Sequence, residues 1–118
     1  MFRVSFYKTA AGEEPAKEFL LSLDRKMRAK MIRTIDMLAQ NGTKLREPYS
    51  APLEDGIFEL RAKVGSNISR VLYFFIVGQQ VILSHGFIKK TQKTPPREIE
   101  RARKNRQDFQ QRSEISHE

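Results

Sequence analysis

Arg61 and Arg70, followed by a bend that carries Lys89, Lys90 and Lys93, are the residues of this chain best suited to chemistry. Guanidinium and ammonium groups gathered in one place bind phosphate and stabilise the charge that builds on a reacting phosphoryl centre. Near them in sequence stand His85, whose side-chain type titrates close to neutrality, and Glu59, two residues before Arg61. The inventory limits the alternatives. No cysteine is present, so disulfides, zinc-thiolate sites and thiol nucleophiles are excluded. Of the two histidines, His117 falls in a polar stretch, residues 107–118, that reads as a fraying tail. Without a second well-placed histidine or a tight carboxylate cluster, a two-metal site is not expected, and no cofactor is implied.

The 118 residues carry 22 Lys+Arg against 14 Asp+Glu, a formal net charge of +8 that favours a polyanionic partner. The excess is uneven: residues 85–107 hold eight Lys/Arg against Glu98 and Glu100, whereas residues 44–61 are slightly acidic. Lys63, Arg97, Arg101 and Lys104, with Arg25, Lys26, Arg28, Lys30 and Arg33 earlier in the chain, read as general attraction for a nucleic acid rather than as chemistry. No apolar run approaches the roughly 20 residues of a membrane span, and the N-terminus lacks the apolar core of a signal peptide. The expectation is a single domain, 1–118, in the cytoplasm with no membrane partner.

The elements that must position these groups follow from periodicity and turn residues. Alternating Val4 and Phe6 predict a strand over residues 3–7. Pro15 suits a first helical turn, with Ala16, Phe19, Leu20 and Leu23 at helical spacing. Asp24 reads as the N-cap of a second helix whose stripe is Met27, Met31, Ile35 and Leu38, stopped at Asn41-Gly42. Residues 44–56, with Pro48 and Pro52, read as a loop. Three strands, 57–64, 67–77 and 80–87, are separated by Gly65-Ser66 and Gly78-Gln79, which predicts an antiparallel meander. Thr94 reads as the N-cap before Pro95-Pro96, opening a basic helix to about residue 110 with only Ile99, Ala102 and Phe109 as an apolar stripe.

Two-residue turns would pair Arg61 with Arg70, His85 with Leu72 and Phe87 with Arg70. Glu59, Arg61, Lys63, Arg70 and His85 then share one face of the sheet. Phe58, Leu60, Val64, Val71, Tyr73, Phe75 and Val77 share the other, the seat for the first two helices. The polar face also holds Leu72, Phe74 and Ile76, which calls for a groove or a cover. Opposed arginines repel by up to about 1 kcal/mol, and a phosphate between them would reverse the sign. Structural readings stand beside the functional ones: Arg61 pairing with Glu59 or the Glu54-Asp55 loop, Arg70 needing a buried partner, and His85 as a hydrogen-bonding residue at a strand end.

Three stretches, Gly56-Ile-Phe-Glu-Leu-Arg61, Arg70-Val-Leu-Tyr-Phe-Phe75 and His85-Gly-Phe-Ile-Lys-Lys-Thr-Gln-Lys-Thr-Pro95, followed by Glu98 and Ala102, resemble the HigB branch of the RelE/ParE toxin superfamily. The resemblance implies an α+β, microbial-RNase-like fold in the order β-α-α-β-β-β-α, with an antiparallel sheet, two N-terminal helices on one face and a C-terminal helix. It also implies a type II toxin: a ribosome-dependent endoribonuclease that cuts mRNA without a metal. The restraining partner would be a HigA-like antitoxin with a helix-turn-helix DNA-binding fold. Carried over by position, the catalytic surface falls on Arg61, Arg70, Lys89, Lys90 and Lys93, with His85 nearby; from the residue inventory, Glu59 is a base or a group that orients Arg61. Better-studied relatives place a tyrosine near the C-terminus in this set, and no tyrosine follows Tyr73 here. A ParE-type gyrase inhibitor and a non-enzymatic nucleic-acid-binding module are the alternatives.

Overall fold

Alternating apolar residues in the middle of the chain build a five-stranded sheet in the order β1-β5-β4-β3-β2. A computed structural model describes residues 1–90 and 92–116; Thr91, His117 and Glu118 lie outside the described residues, and with them the reading of His117 as part of a tail. The strands are β1 (Arg3–Phe6), β2 (Ser50–Pro52), β3 (Phe58–Val64), β4 (Asn67–Ile76) and β5 (Gln80–Ile88). Helices α1 (Pro15–Ser22) and α2 (Arg25–Asn41) lie between β1 and β2, and α3 (Pro96–Ser116) follows β5. No helix among the described residues is long and apolar enough to cross a membrane.

Two features differ from the expected antiparallel meander. The sheet is mixed, because β1 runs parallel to β5, with Arg3 beside Gln80 and Phe6 beside Leu83. Within the segment read as a loop, Ser50 pairs with Leu60 and Pro52 with Phe58, so β2 forms the outer edge. Three residues ending in proline carry no readable period, and an edge is where a strand proline is tolerated.

The two faces of the sheet divide as expected. Met27, Met31 and Leu38 of α2, with Ala16 and Leu20 of α1, bury Leu60, Val71, Tyr73, Val81 and Leu83. Asp24 caps α2 by accepting the Met27 N–H at 2.9 Å. Arg28 donates to the carbonyls of Leu20, Leu21 and Leu23, so it caps the end of α1 and does not belong with the diffuse cations. On the opposite face, Ile99 and Ala102 of α3 cover Leu72, Phe74, Ile82 and Ile57. That helix supplies the cover that the apolar row on the polar face required. It runs beyond residue 110 to Ser116, so the stretch expected to fray is helical as far as it is described. Tyr7 donates to Asp108 at 2.6 Å and Arg112 donates to the same carboxylate at 2.7 Å, tying this end of α3 to the end of β1.

Pairing across β3 and β4 is as expected: Val64 faces Asn67 and Arg61 faces Arg70, with Gly65 at φ +61 in the turn. The next hairpin differs. Ile76 pairs with Gln80, so the turn holds three residues, 77–79, with Gly78 and Gln79 at positive φ. Val77, expected on the helix-covered face, is 93% exposed in that turn. A one-residue slip would carry the rest of β5 to the wrong face, but a bulge corrects it. Tyr73 pairs with Leu83 while Leu72 pairs with His85, leaving Ser84 as the extra residue, and Phe87 returns opposite Arg70. Past the bulge, Gly86 faces α1, and a Cβ there would stand 2.1 Å from a ring carbon of Phe19. Gly86→Ala is expected to cost about 1–3 kcal/mol by overpacking. Chemical denaturation should show a lower midpoint at unchanged slope; an unchanged midpoint would mean that Phe19 yields without cost.

Candidate functional site

Alternation along β3 and pairing with β4 put Glu59, Arg61 and Arg70 on the α3 side of the sheet. Glu59 is fully buried. Its Oε2 accepts from Arg70 at 2.8 Å and from Arg61 at 3.2 Å, and its Oε1 accepts from the Thr94 hydroxyl at 2.6 Å. A carboxylate tolerates such burial only when both oxygens are satisfied by strong donors. The mutual repulsion expected of Arg61 and Arg70 is therefore offset by an internal anion, and Glu59 alone neutralises one of their two charges.

The two arginines are not equivalent. Arg70 is 6% exposed, and its Nε–H has no acceptor. Burial, opposed by Glu59 and aided by the nearby Arg61 charge, pulls its pKa below the usual arginine value. The Arg61 side chain is 29% exposed and also reaches Glu47 at 3.3 Å. Glu47 stands at the solvent rim, where such a pair contributes little.

Thr94 does not cap α3, which begins at Pro96. A buried carboxylate oxygen needing a donor has taken its hydroxyl instead, and this tethers the far end of the lysine bend to the arginine pair. At the near end, the Lys89 N–H donates to the Ile68 carbonyl at 3.1 Å. The Lys89 ammonium is held below the usual lysine pKa, chiefly by partial burial; Glu59 opposes this, and Arg70 and Arg61 add to it. Lys89 is thus in electrostatic reach of all three members of the cluster. Lys90 and Lys93 are exposed on the bend.

His85 occupies a different position. It is 1% exposed, with the Ser84 hydroxyl 2.9 Å from Nδ1 and Glu98 3.1 Å from Nε2, and Asn105 donates to Ser84 at 2.9 Å. These partners suit a neutral ring that accepts from Ser84 and donates to Glu98. Burial, helped by the Arg101 charge and opposed by Glu98, lowers its pKa to about 4. The Ser84-His85-Glu98 chain has the composition of a hydrolase triad, but Ser84 and His85 are both sealed from solvent. The structural reading of His85 fits this environment.

Lys63, Arg61, Arg70 and Ile68 line a 260 Å³ pocket together with Tyr49 and with Lys30 of α2. Arg97, Arg101 and Lys104 are exposed along α3. Arg25 and Lys26 are exposed at the start of α2, the helix on the other face of the sheet. The structure therefore gathers Glu59, Arg61, Arg70 and Lys89, sets Lys63 at their edge, and leaves His85, Arg25 and Lys26 apart. Sequence reasoning missed Thr94 and Tyr49 as parts of this surface, and read Lys30 only as general attraction for a nucleic acid without placing it here. The signal for Tyr49 was a lone aromatic residue between Pro48 and Pro52, whereas Lys30 had none, because its position depends on where α2 docks.

Two N-terminal helices on one face of a five-stranded sheet and a C-terminal helix on the other define an α+β fold of the RelE-like kind. A family profile described as phage-derived protein Gp49-like (DUF891) matches residues 18–107, which include every side chain of the cluster. The chain belongs to that family, which is associated with toxins of the RelE and HigB kind. No curated protein matches it in sequence.

The depressed pKa of His85 makes folding depend on pH. Its folded value of about 4 lies below the ordinary 6.5, so between the two the unfolded chain binds more protons. The stabilisation is complete above pH 6.5 and is lost as the pH falls through that window, by up to about 3 kcal/mol. Urea titrations at pH 7 and pH 4.5 should show a larger loss in the wild type than in His85→Asn; equal losses would contradict the sealed, neutral imidazole.

Proposed function

We propose that this chain is the toxin of a type II toxin-antitoxin pair of the HigB kind, a metal-independent endoribonuclease acting on mRNA held by the ribosome. The observation that carries the reading is the Arg61-Glu59-Arg70 cluster with Lys89 beside it, a surplus of positive charge on a rigid sheet. In the reaction, the ribose 2′-OH attacks the adjacent phosphorus and the bond to the 5′ oxygen breaks. The products are a 2′,3′-cyclic phosphate and a 5′-OH. Such a step needs a base, an acid and stabilisation of a phosphorane-like transition state.

Arg61 reaches solvent and Arg70 backs it, so their remaining N–H groups serve the non-bridging oxygens. Glu59 has both oxygens engaged and no exposed surface; it orients the guanidiniums and does not take the proton. Lys89, with its lowered pKa, is the group we assign to proton transfer. Lys63, Lys90, Lys93, Arg97, Arg101 and Lys104 attract flanking phosphates. An accessible histidine has no part in this scheme, which fits a need for the ribosome to position the mRNA, since positioning supplies much of a rate. A cytoplasmic location and a HigA-like, helix-turn-helix antitoxin follow from the same reading.

Expression of wild type and Arg61→Ala, each with and without a cognate antitoxin, followed by mapping of mRNA 5′ ends, tests it. Cuts within translated codons are expected in the wild type, reduced about 10²- to 10³-fold in Arg61→Ala while the fold is retained. Growth arrest with intact mRNA and damaged DNA would replace this reading with gyrase inhibition. Salt-dependent RNA binding without cleavage would leave a binding module.

A further inference from the structure

We infer that Tyr49 is a stacking platform for a base of single-stranded RNA, and that the strand leaves the arginine pair across Tyr49 and Lys30 towards Arg33. This rests on the RNA reading of the same site and adds the path of the strand and the residue that grips a base.

The Tyr49 side chain is unlike the other two tyrosines. Tyr7 and Tyr73 are buried and hydrogen-bonded, to Asp108 at 2.6 Å and to Ser50 at 2.5 Å, whereas Tyr49 is 40% exposed. Its backbone is nevertheless fixed against the site. The Tyr49 carbonyl accepts the Arg61 N–H at 2.9 Å, and the Tyr49 N–H donates to the Arg46 carbonyl at 3.0 Å. The Tyr49 backbone is therefore anchored one strand spacing from a proposed phosphate ligand.

Tyr49 and Lys30 form a ridge between two hollows. On one side lies the 260 Å³ pocket with Arg61, Arg70 and Lys63. On the other is a 430 Å³ hollow bordered by Arg33, Thr34 and Gln40. Lys30 is held in place by donating to the Lys63 carbonyl at 2.5 Å. Cations therefore stand on both sides of an exposed aromatic face, the combination by which proteins hold single-stranded nucleic acid: charge for the phosphates and a ring for the base between them. Arg70, whose buried Nε–H has no acceptor, is one of the residues that line the first pocket. Asp36, three residues after Arg33 on α2, also borders the second hollow.

A fluorescently labelled 2′-O-methyl hexauridylate, which lacks the attacking hydroxyl, serves as the probe for binding to the whole protein. Tyr49→Leu should weaken binding about tenfold or more, with the slope against log salt unchanged, and Tyr49→Phe should bind as the wild type does. Arg33→Ala should weaken binding and lower the salt slope by about one. Three results would overturn the inference: no binding by the wild type at low salt, equal binding by Tyr49→Leu, or equal loss in Tyr49→Phe and Tyr49→Leu. Displacement of the probe by oligoglutamate of the same length, with the same dependence on Tyr49, would assign the ridge to an acidic partner and also overturn it. Because the probe cannot be cleaved, a protein that binds in this way but cuts no mRNA would refute the proposed activity and leave the stacking platform standing.

Discussion

Glu59 lies wholly inside the protein, and an anion in that position persists only because Arg70, Arg61 and Thr94 saturate both of its oxygens. Much of the surrounding geometry follows from that requirement. The two guanidiniums have to lie on the same side of the sheet, where the pairing of Arg61 with Arg70 across β3 and β4 places them. The Thr94 hydroxyl has to turn inward, two residues before α3 starts at Pro96. A buried ion cluster of this kind is weak evidence for net stability, because its desolvation cost is large. Its consequence is geometric: two cations that would repel one another are kept adjacent.

The division of the sheet into two faces makes this arrangement possible. α1 and α2 bury one face with an ordinary apolar core, and the ion cluster contributes nothing there. On the other face α3 covers the apolar half, from Tyr7 to Phe74, and leaves the end that carries Arg61 and Lys63 open. His85 falls under the helix and Lys89 falls beyond it. Three residues, 86–88, thus separate a sealed, neutral side chain from Lys89, just past the end of β5, whose ammonium feels the charges of the cluster.

Much of this was legible in the sequence, for definite reasons. Strand alternation together with the Gly65-Ser66 turn was enough to oppose Arg61 and Arg70. The pairing of His85 with Leu72 was also anticipated, but through two features that cancelled: a turn one residue longer than expected and a bulge at Ser84. No local residue preference announces such a compensation, because it is imposed by the need to keep Val81 and Leu83 in one core and Ile82 in the other. β2 was too short to show a period, and parallel pairing of β1 with β5 depends on how α1 and α2 return the chain. Thr94 had the spacing of a helix cap, and only the position of Glu59, far away in sequence, redirects it. The proposed roles of Tyr49 and Lys30 likewise arise from tertiary placement.

A double-mutant cycle on equilibrium unfolding, using Glu59→Ala, Arg70→Ala and the combination, tests the central claim most directly. If the carboxylate and the guanidinium hold each other inside the protein, each single substitution leaves the other charge buried and unpaired, and the double variant recovers part of the loss. The predicted coupling is about 2 kcal/mol or more. Additive losses, with coupling under about 0.5 kcal/mol, would contradict the account, since the pair would then not be the constraint that positions the site.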